Sequence, residues 1–228
     1  MFIVSSTAAS VVRYPLGYRV AAVGPRPATL LELYDIEACP YCRKVREALT
    51  MLDLDVLIRP SPHGGTRFRP DAIARGGKKQ FPLLIDPNAD LDLYESDDIV
   101  EHLYGRYGHG RPPLGLRLGL IGNATSALAS ALRAGAGRSV RPSRAPDQAL
   151  QLWSFELSPY SRRVRETLCE LEIPYVLRNL GRNSARRPAF LERTGTMMFP
   201  YLEDPNTGVT MFESRDIVKY LDQTYGLT

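Results

Sequence analysis

The sequence predicts a mixed α/β chain made of two tandem copies of one small unit, joined by a partly helical connector. Three blocks of self-similarity predict it. LELYDIEACPYCRKVREAL at 31–49 returns as LQLWSFELSPYSRRVRETL at 150–168, and FPLLIDP at 81–87 returns as FPYLEDP at 199–205. LYESDDIVEHLYGRYG at 93–108 returns as MFESRDIVKYLDQTYG at 211–226. The order is kept and the spacing drifts by one residue, so the blocks mark two homologous folded units. The organisation expected is an N-terminal arm (1–29), a first unit (30–108), a connector (109–148) and a second unit (149–228).

Within the first unit, Leu31 and Leu33 alternate with Glu32, the period of a short strand. Pro40 stands where a helix would start, a place that tolerates its missing N–H. Val45, Ala48, Leu49 and Leu52 recur at helical spacing and define that helix's buried face. Val56-Leu57-Ile58 reads as a buried parallel strand. Phe81 to Ile85 reads as a third strand, stopped by Asp86-Pro87-Asn88. Leu93-Tyr94-Glu95 makes a fourth, and Ser96 or Asp97 caps a closing helix that runs through Tyr104. The order is β-α-β, an irregular or helical stretch, then β-β-α. In the connector, Leu118 to Leu132 is apolar but shorter than the ~20 residues a membrane span needs. A helix packed between the units is the expectation there, with an interfacial membrane helix as the alternative.

Charge is unevenly placed. The net charge of +4 resolves into +3 over 1–29, −4 over 30–108, +5 over 109–148 and zero over 149–228. The basic excess therefore lies outside the two units, with no basic stripe on a folded face, which argues against a nucleic-acid partner. The first residues lack a basic stretch ahead of their apolar run, so the expected compartment is the cytoplasm; an organellar transit peptide is the alternative reading of the acid-free arm. Nothing in the sequence fixes the oligomeric state.

Three cysteines cannot build a disulfide framework, and two of them form Cys39-Pro40-Tyr41-Cys42. At a strand end and a helix start, Cys39 faces unsatisfied backbone N–H groups and the positive end of the helix, both of which favour thiolate. Arg43, Lys44 and Arg46 are expected to add positive charge. Cys39 is then the nucleophile, and Cys42, one turn deeper, can resolve a mixed disulfide. A zinc site would need two more ligands, and Cys169, His63, His102 and His109 stand in no paired spacing, so no metal is expected. Glu37 beside Cys39 is expected to raise the thiol pKa and oppose activation. Cys169, on the apolar flank of the second unit's helix, reads as a small buried hydrophobe.

These residues resemble a known family. CPYC is the dithiol of glutaredoxins, while the Phe-Pro strand and the ESDDI turn resemble the N-terminal domain of glutathione S-transferases. The order, twice over, resembles tandem proteins of that thioredoxin-like type, over about 31–108 and 150–226. The resemblance implies glutathione as co-substrate. It implies that Pro82 is cis and sets the Phe81 backbone against the substrate cysteine, that Tyr41 joins the glutathione site, and that Glu95 and Ser96 receive the γ-glutamyl end. Ser96 reads equally as an ordinary N-cap. Lys78 and Lys79 could meet the glycine carboxylate. The all-helical C-terminal domain of true transferases is missing; a second unit follows instead.

That unit has Ser158-Pro159-Tyr160-Ser161 in place of CPYC, so no disulfide forms there. The resemblance implies a second candidate site at Ser158, Phe199, Pro200, Glu213 and Ser214; the alternative is a degenerate unit kept for stability or partner binding. Three functions follow. The first is a glutathione-linked thiol-disulfide oxidoreductase acting on protein disulfides or glutathionylated proteins. The second is a glutathione transferase using Cys39 or Ser158. The third is a non-enzymatic glutathione-binding scaffold; iron–sulfur binding is weaker, since Pro40 restricts the loop.

Overall fold

The computed structural model describes residues 16–117 and 135–227, so the apolar stretch expected to pack as a helix between the units lies outside the described residues. The first unit runs β1 (Leu31–Asp35), α1 (Pro40–Met51), β2 (Val56–Pro60), α2 (Arg69–Gly76), β3 (Leu83–Asp86), β4 (Leu91–Leu93) and α3 (Ser96–Tyr107). A short α4 (Leu114–Arg117) follows. The second unit repeats the series as β5 (Leu150–Ser154), α5 (Pro159–Glu170), β6 (Tyr175–Asn179), α6 (Arg187–Thr194), β7 (Tyr201–Asp204), β8 (Val209–Met211) and α7 (Ser214–Tyr225).

In each unit two parallel strands are flanked by an antiparallel pair, the thioredoxin-like arrangement expected. Val45, Ala48, Leu49 and Leu52 are fully buried, as their spacing predicts. Two boundaries differ from expectation. β4 lies two residues earlier than Leu93-Tyr94-Glu95, and β3 begins after Phe81-Pro82. Neither Ser96 nor Asp97 caps α3: Glu95 stands at the N-cap with φ 61° and offers no side-chain cap bond, while Ser96 is the first helical residue. Both Phe81-Pro82 and Phe199-Pro200 are cis.

The units do not sit as separate beads. β2 pairs antiparallel with β6, matching Val56 to Leu177 and Ile58 to Tyr175, and fuses the two sheets into one of eight strands, β4-β3-β1-β2-β6-β5-β7-β8. One apolar cluster runs through both units, from Leu31 and Leu49 to Leu152 and Leu168. An exposed strand edge templates association; pairing β2 with β6 consumes one of each unit's two edges and leaves the short β4 and β8 at the rims.

Helices α1 and α5 face each other across this seam with their charged sides, which are buried. Arg46 binds Asp35 (2.6 Å) and Glu156 of the second unit (3.0 Å). Arg165, its repeat equivalent, binds Glu37 (3.1 Å) and Glu156 (2.9 Å). Burial alone would raise the Glu156 pKa, but Arg165, Arg46 and Arg43 outweigh it and lower it from 4.5 to about 2. The folded state therefore holds the Glu156 proton less tightly than the unfolded chain. Its stabilisation is complete above pH 4.5 and drains away as pH falls towards about 2. We expect Glu156→Gln to flatten the acid limb of a urea-midpoint-versus-pH curve within that window; a limb of unchanged slope would contradict this role.

The two upstream segments cross over. Val20 N–H donates to Arg182 O and Arg182 N–H to Tyr18 O, both at 2.8 Å, so the N-terminal arm bridges to the second unit. Reciprocally, His63 N–H donates to Arg138 O (2.7 Å) and Val140 N–H to His63 O (3.0 Å), so the segment preceding the second unit bridges to the first. The N-terminal arm also runs along the first unit, Ala21 N–H donating to Met51 O (2.8 Å) and Gly24 N–H to Tyr107 O (2.9 Å). Each arm passes close to the seam at a left-handed glycine. A Cβ on Gly17 (φ 67°) would lie 2.9 Å from Glu156 Cβ, and one on Gly137 (φ 74°) would lie 3.0 Å from Glu37 Cβ. Only glycine meets both demands at low cost.

Candidate functional site

Cys39 occupies the N-cap of α1 in extended conformation, with Pro40 at the first turn. It is partly exposed, while Cys42, one turn deeper, is buried with its Sγ accepting from Ile36 N–H at 3.5 Å. The Cys39 thiol is pulled below its ordinary pKa, chiefly by its hydrogen bond with the Cys42 side chain. Burial opposes this, and backbone N–H groups of Cys42 and Tyr41 add to it. Burial and the same thiol pair push Cys42 well up. The pair is thus divided into a thiolate-forming outer sulfur and a protonated inner one.

The charges expected to govern Cys39 are otherwise engaged. Arg43 binds Glu47 (3.2 Å), Lys44 binds Asp97, and Arg46 belongs to the seam, so the three cations of α1 do not line the site. Glu37 is held by Arg165 and by Arg46 (3.3 Å) rather than opposing the thiolate. The carboxylate that works against Cys39 is Asp35, four residues upstream.

Cys39 opens into a cleft of about 410 Å³. Ile36, Ala38, Pro40, Tyr41 and Phe81 form its apolar wall. His63, Arg69, Lys79 and Arg138 supply its polar rim, and no carboxylate stands among the lining residues. Arg69 is fixed by donating to Ser61 O (2.9 Å) and by stacking 4.6 Å from the Phe81 ring centre. Burial, with Arg69, Arg138 and Lys79 around it, lowers the His63 pKa. Gly135 and Arg138 come from the exchanged arm, so the first unit does not complete this cleft alone.

Of the residues singled out in the sequence, Cys39, Tyr41 and Phe81 share this cleft. Pro82 is buried beside it. Glu95 is exposed and accepts from Gln80 Nε2 at 2.5 Å, which ties the α3 N-terminus to the Phe81 stretch; Ser96 is buried below it. Lys79 lines the cleft, whereas Lys78 lies 5.5 Å from the Tyr94 ring centre. Sequence reasoning missed His63, Arg69 and Arg138 as site residues. A Gly-x-x-Val pair at 17–20 and 137–140 is the signal that the repeat reaches upstream into both arms.

The equivalent place in the second unit is built differently. Ser158 is buried, and its Oγ accepts from Ser161 N–H (3.2 Å) and Ser161 Oγ–H (2.9 Å), capping α5. Phe155 packs edge-on against Phe199 (5.9 Å) and Tyr18 (5.8 Å), and Phe199 stacks on Phe190 (5.2 Å). Pro200 follows Phe199 in cis, and Glu213, at φ 66°, precedes buried Ser214 at the start of α7. The frame of the first site is kept, but aromatic rings stand where the first cleft is open. Cys169 is buried and its Sγ accepts from Glu37 N–H at 3.5 Å, the counterpart of Thr50 Oγ1 accepting from Glu156 N–H at 3.2 Å. Burial pushes its thiol well up, in keeping with a packing role.

No helix among the described residues is long and apolar enough to cross a membrane. The family model described as "Glutathione S-transferase, N-terminal domain" matches twice, over residues 33–113 and 152–228. No curated protein sequence matches the chain. Among solved structures, the chain is similar to one described as "Leishmania TDR1 - a unique trimeric glutathione transferase". That match has 14% identity and a TM-score of 0.30, and covers 88% of this chain and 68% of the other.

Proposed function

The chain belongs to the glutathione S-transferase N-terminal-domain family, and from that premise we propose that it is a glutathione-linked thiol-disulfide oxidoreductase working through Cys39. The observation that carries this reading is the division of the dithiol: a partly exposed Cys39 with a lowered pKa in an open cleft, and a buried, protonated Cys42 behind it. Cys39 thiolate attacks the glutathione sulfur of a glutathionylated protein. The old S–S bond breaks, the protein thiolate leaves and takes a proton, and Cys39 carries glutathione as a mixed disulfide. A second glutathione thiolate then attacks the bound glutathione sulfur, releasing oxidised glutathione and restoring Cys39. On a protein disulfide, Cys39 thiolate attacks one sulfur, and the other leaves as a thiolate and takes a proton. Cys42 then loses its proton and attacks Cys39 Sγ of the mixed disulfide. The second protein thiolate leaves and is protonated, and a Cys39–Cys42 disulfide remains for two glutathiones to reduce. Tyr41, Phe81, Pro82, Glu95 and Ser96 form the glutathione site in this reading. A dithiol recycled by glutathione suits a reducing compartment such as the cytoplasm.

The second unit lacks a thiol at its helix start, and the Ser158 hydroxyl is engaged in its own cap, so we assign it no chemistry. The testing experiment compares wild type and Cys42→Ser on a glutathionylated peptide and on a protein disulfide. Cys42→Ser is expected to keep turnover on the first with glutathione and to stall on the second as a trapped Cys39 mixed disulfide. If wild type reduces neither substrate but conjugates glutathione to an aryl halide, the transferase reading replaces this one.

A further inference from the structure

The same scaffold carries an open cleft in the first unit and an aromatic-filled counterpart in the second, and the residues at equivalent places differ. Where the first has Lys79, Phe81 and the arm residue Arg138, the second has Met197, Phe199 and the arm residue Tyr18. Arg69 and Arg187 are equivalent, and each lies over the phenylalanine of its cleft, at 4.6 and 5.3 Å. Arg69 is therefore part of the frame, whereas Lys79 and Arg138 occur only in the cleft with the thiols; at one place the second unit has the cation instead, Arg182 standing for His63 and donating to Tyr18 Oη at 3.3 Å. The backbone at Arg138 is fixed on both sides. Its carbonyl accepts from His63 N–H (2.7 Å), its N–H donates to Gly135 O (3.1 Å), and Val140 closes the bridge on the other side of His63 (3.0 Å). Its exposed side chain lines the Cys39 cleft, in a lining with no carboxylate.

We propose that Arg138, brought to the Cys39 cleft by the exchanged arm, is a specificity-determining residue that, with Lys79 and Arg69, selects sulfur substrates bearing a carboxylate near the reacting sulfur. The inference rests on Cys39 being the reactive thiol. It also gives the second unit a role, that of holding the arm which completes the first unit's site. Arg141 N–H donates to Glu170 O (2.7 Å) and Arg144 N–H to Tyr225 O (2.8 Å), which anchors the arm to α5 and α7 while Arg138 reaches across. A cleft lined by one sign of charge raises the local concentration of opposite charge, typically by about 10-fold or more.

The test needs no turnover. Rates of Cys39 alkylation by anionic iodoacetate and neutral iodoacetamide are measured by mass spectrometry at low salt, and their ratio is divided by that of a free model thiol. Wild type is expected to favour iodoacetate. Arg138→Glu should lower the ratio about 10-fold with the iodoacetamide rate nearly unchanged, and Arg138→Lys should largely restore it. Arg215→Glu, an exposed change of equal charge on α7, should leave the ratio alone. A ratio indifferent to Arg138→Glu, or both rates falling together, would overturn the proposal while the oxidoreductase reading stands. A Cys39 inert to both reagents in wild type would bring down that reading, and this inference with it.

Discussion

Cys39→Ser is expected to abolish glutathione-dependent disulfide reduction, by about 10³-fold or more, while leaving the fold intact. Serine is nearly isosteric, and at the equivalent N-cap the second unit already carries Ser158, which accepts from the backbone of its own helix. Stability should therefore hold or rise slightly as the hydroxyl caps α1. The chemistry is lost because a hydroxyl does not ionise near neutral pH, whereas the Cys39 thiol, hydrogen-bonded by Cys42 and the backbone N–H groups of Cys42 and Tyr41, is biased towards thiolate. A coupled glutathione assay beside a urea titration checks both halves. Activity surviving in the variant would move the nucleophile elsewhere, and a midpoint that falls with the activity would contradict the expectation of an intact fold.

Arg165→Ala is expected to destabilise the chain by about 3–5 kcal/mol. Arg165 is fully buried, and it joins the Glu37 and Glu156 carboxylates across the seam. Its removal leaves those two carboxylates, with Asp35, to share Arg46 and the more distant Arg43 (3.9 Å from Glu156), all of them buried away from solvent screening. Neutralising one acid in the same background, as Arg165→Ala with Glu37→Gln, should recover part of the loss; additive losses would show that Arg165 acts by packing alone. The variant carries a second signature. Glu37, left with only the shared Arg46, becomes a less fully balanced charge two residues from Cys39, so the thiol pKa should rise and alkylation at neutral pH should slow. Denaturant midpoints and the pH dependence of Cys39 labelling read the two effects separately.

The effect sought in that variant is the one the sequence suggests for the native chain, and the difference shows where sequence reading ends. Each unit was legible because its cues are local: alternating Leu31 and Leu33, Pro40 at the helix start, the helical stripe from Val45 to Leu52, and the recurrence of all of these near residue 150. The dithiol follows from the same local pattern, whereas the cis Phe81-Pro82 and the place of Tyr41 and Phe81 were implied by the family resemblance. What the sequence hid is everything that depends on the second unit's position. Arg43 and Arg46 read as solvated charges in the sequence; pairing β2 with β6 buries them at the seam instead, while Lys44 is buried towards Asp97 of α3. Glu37 looked like a charge opposing Cys39 because its partner Arg165 lies far along the chain. Arg138 escaped notice for the same reason, since a residue outside both repeat blocks gives no local hint that it lines the first unit's cleft.

The exchanged arms also impose an order in time. Domains fold as units from the N-terminus during synthesis, and Cys39 and Cys42 are made well before Arg138. The nascent first unit thus holds its dithiol with an open β2 edge and without the arm's contribution to the cleft wall. Selectivity is a late acquisition of the growing chain, gained when Gly135–Val140 meets His63 and the two halves close on each other. On the proposed reading, the thiols would until then answer to any accessible disulfide, and the finished seam would turn a generic reactive pair into a discriminating one.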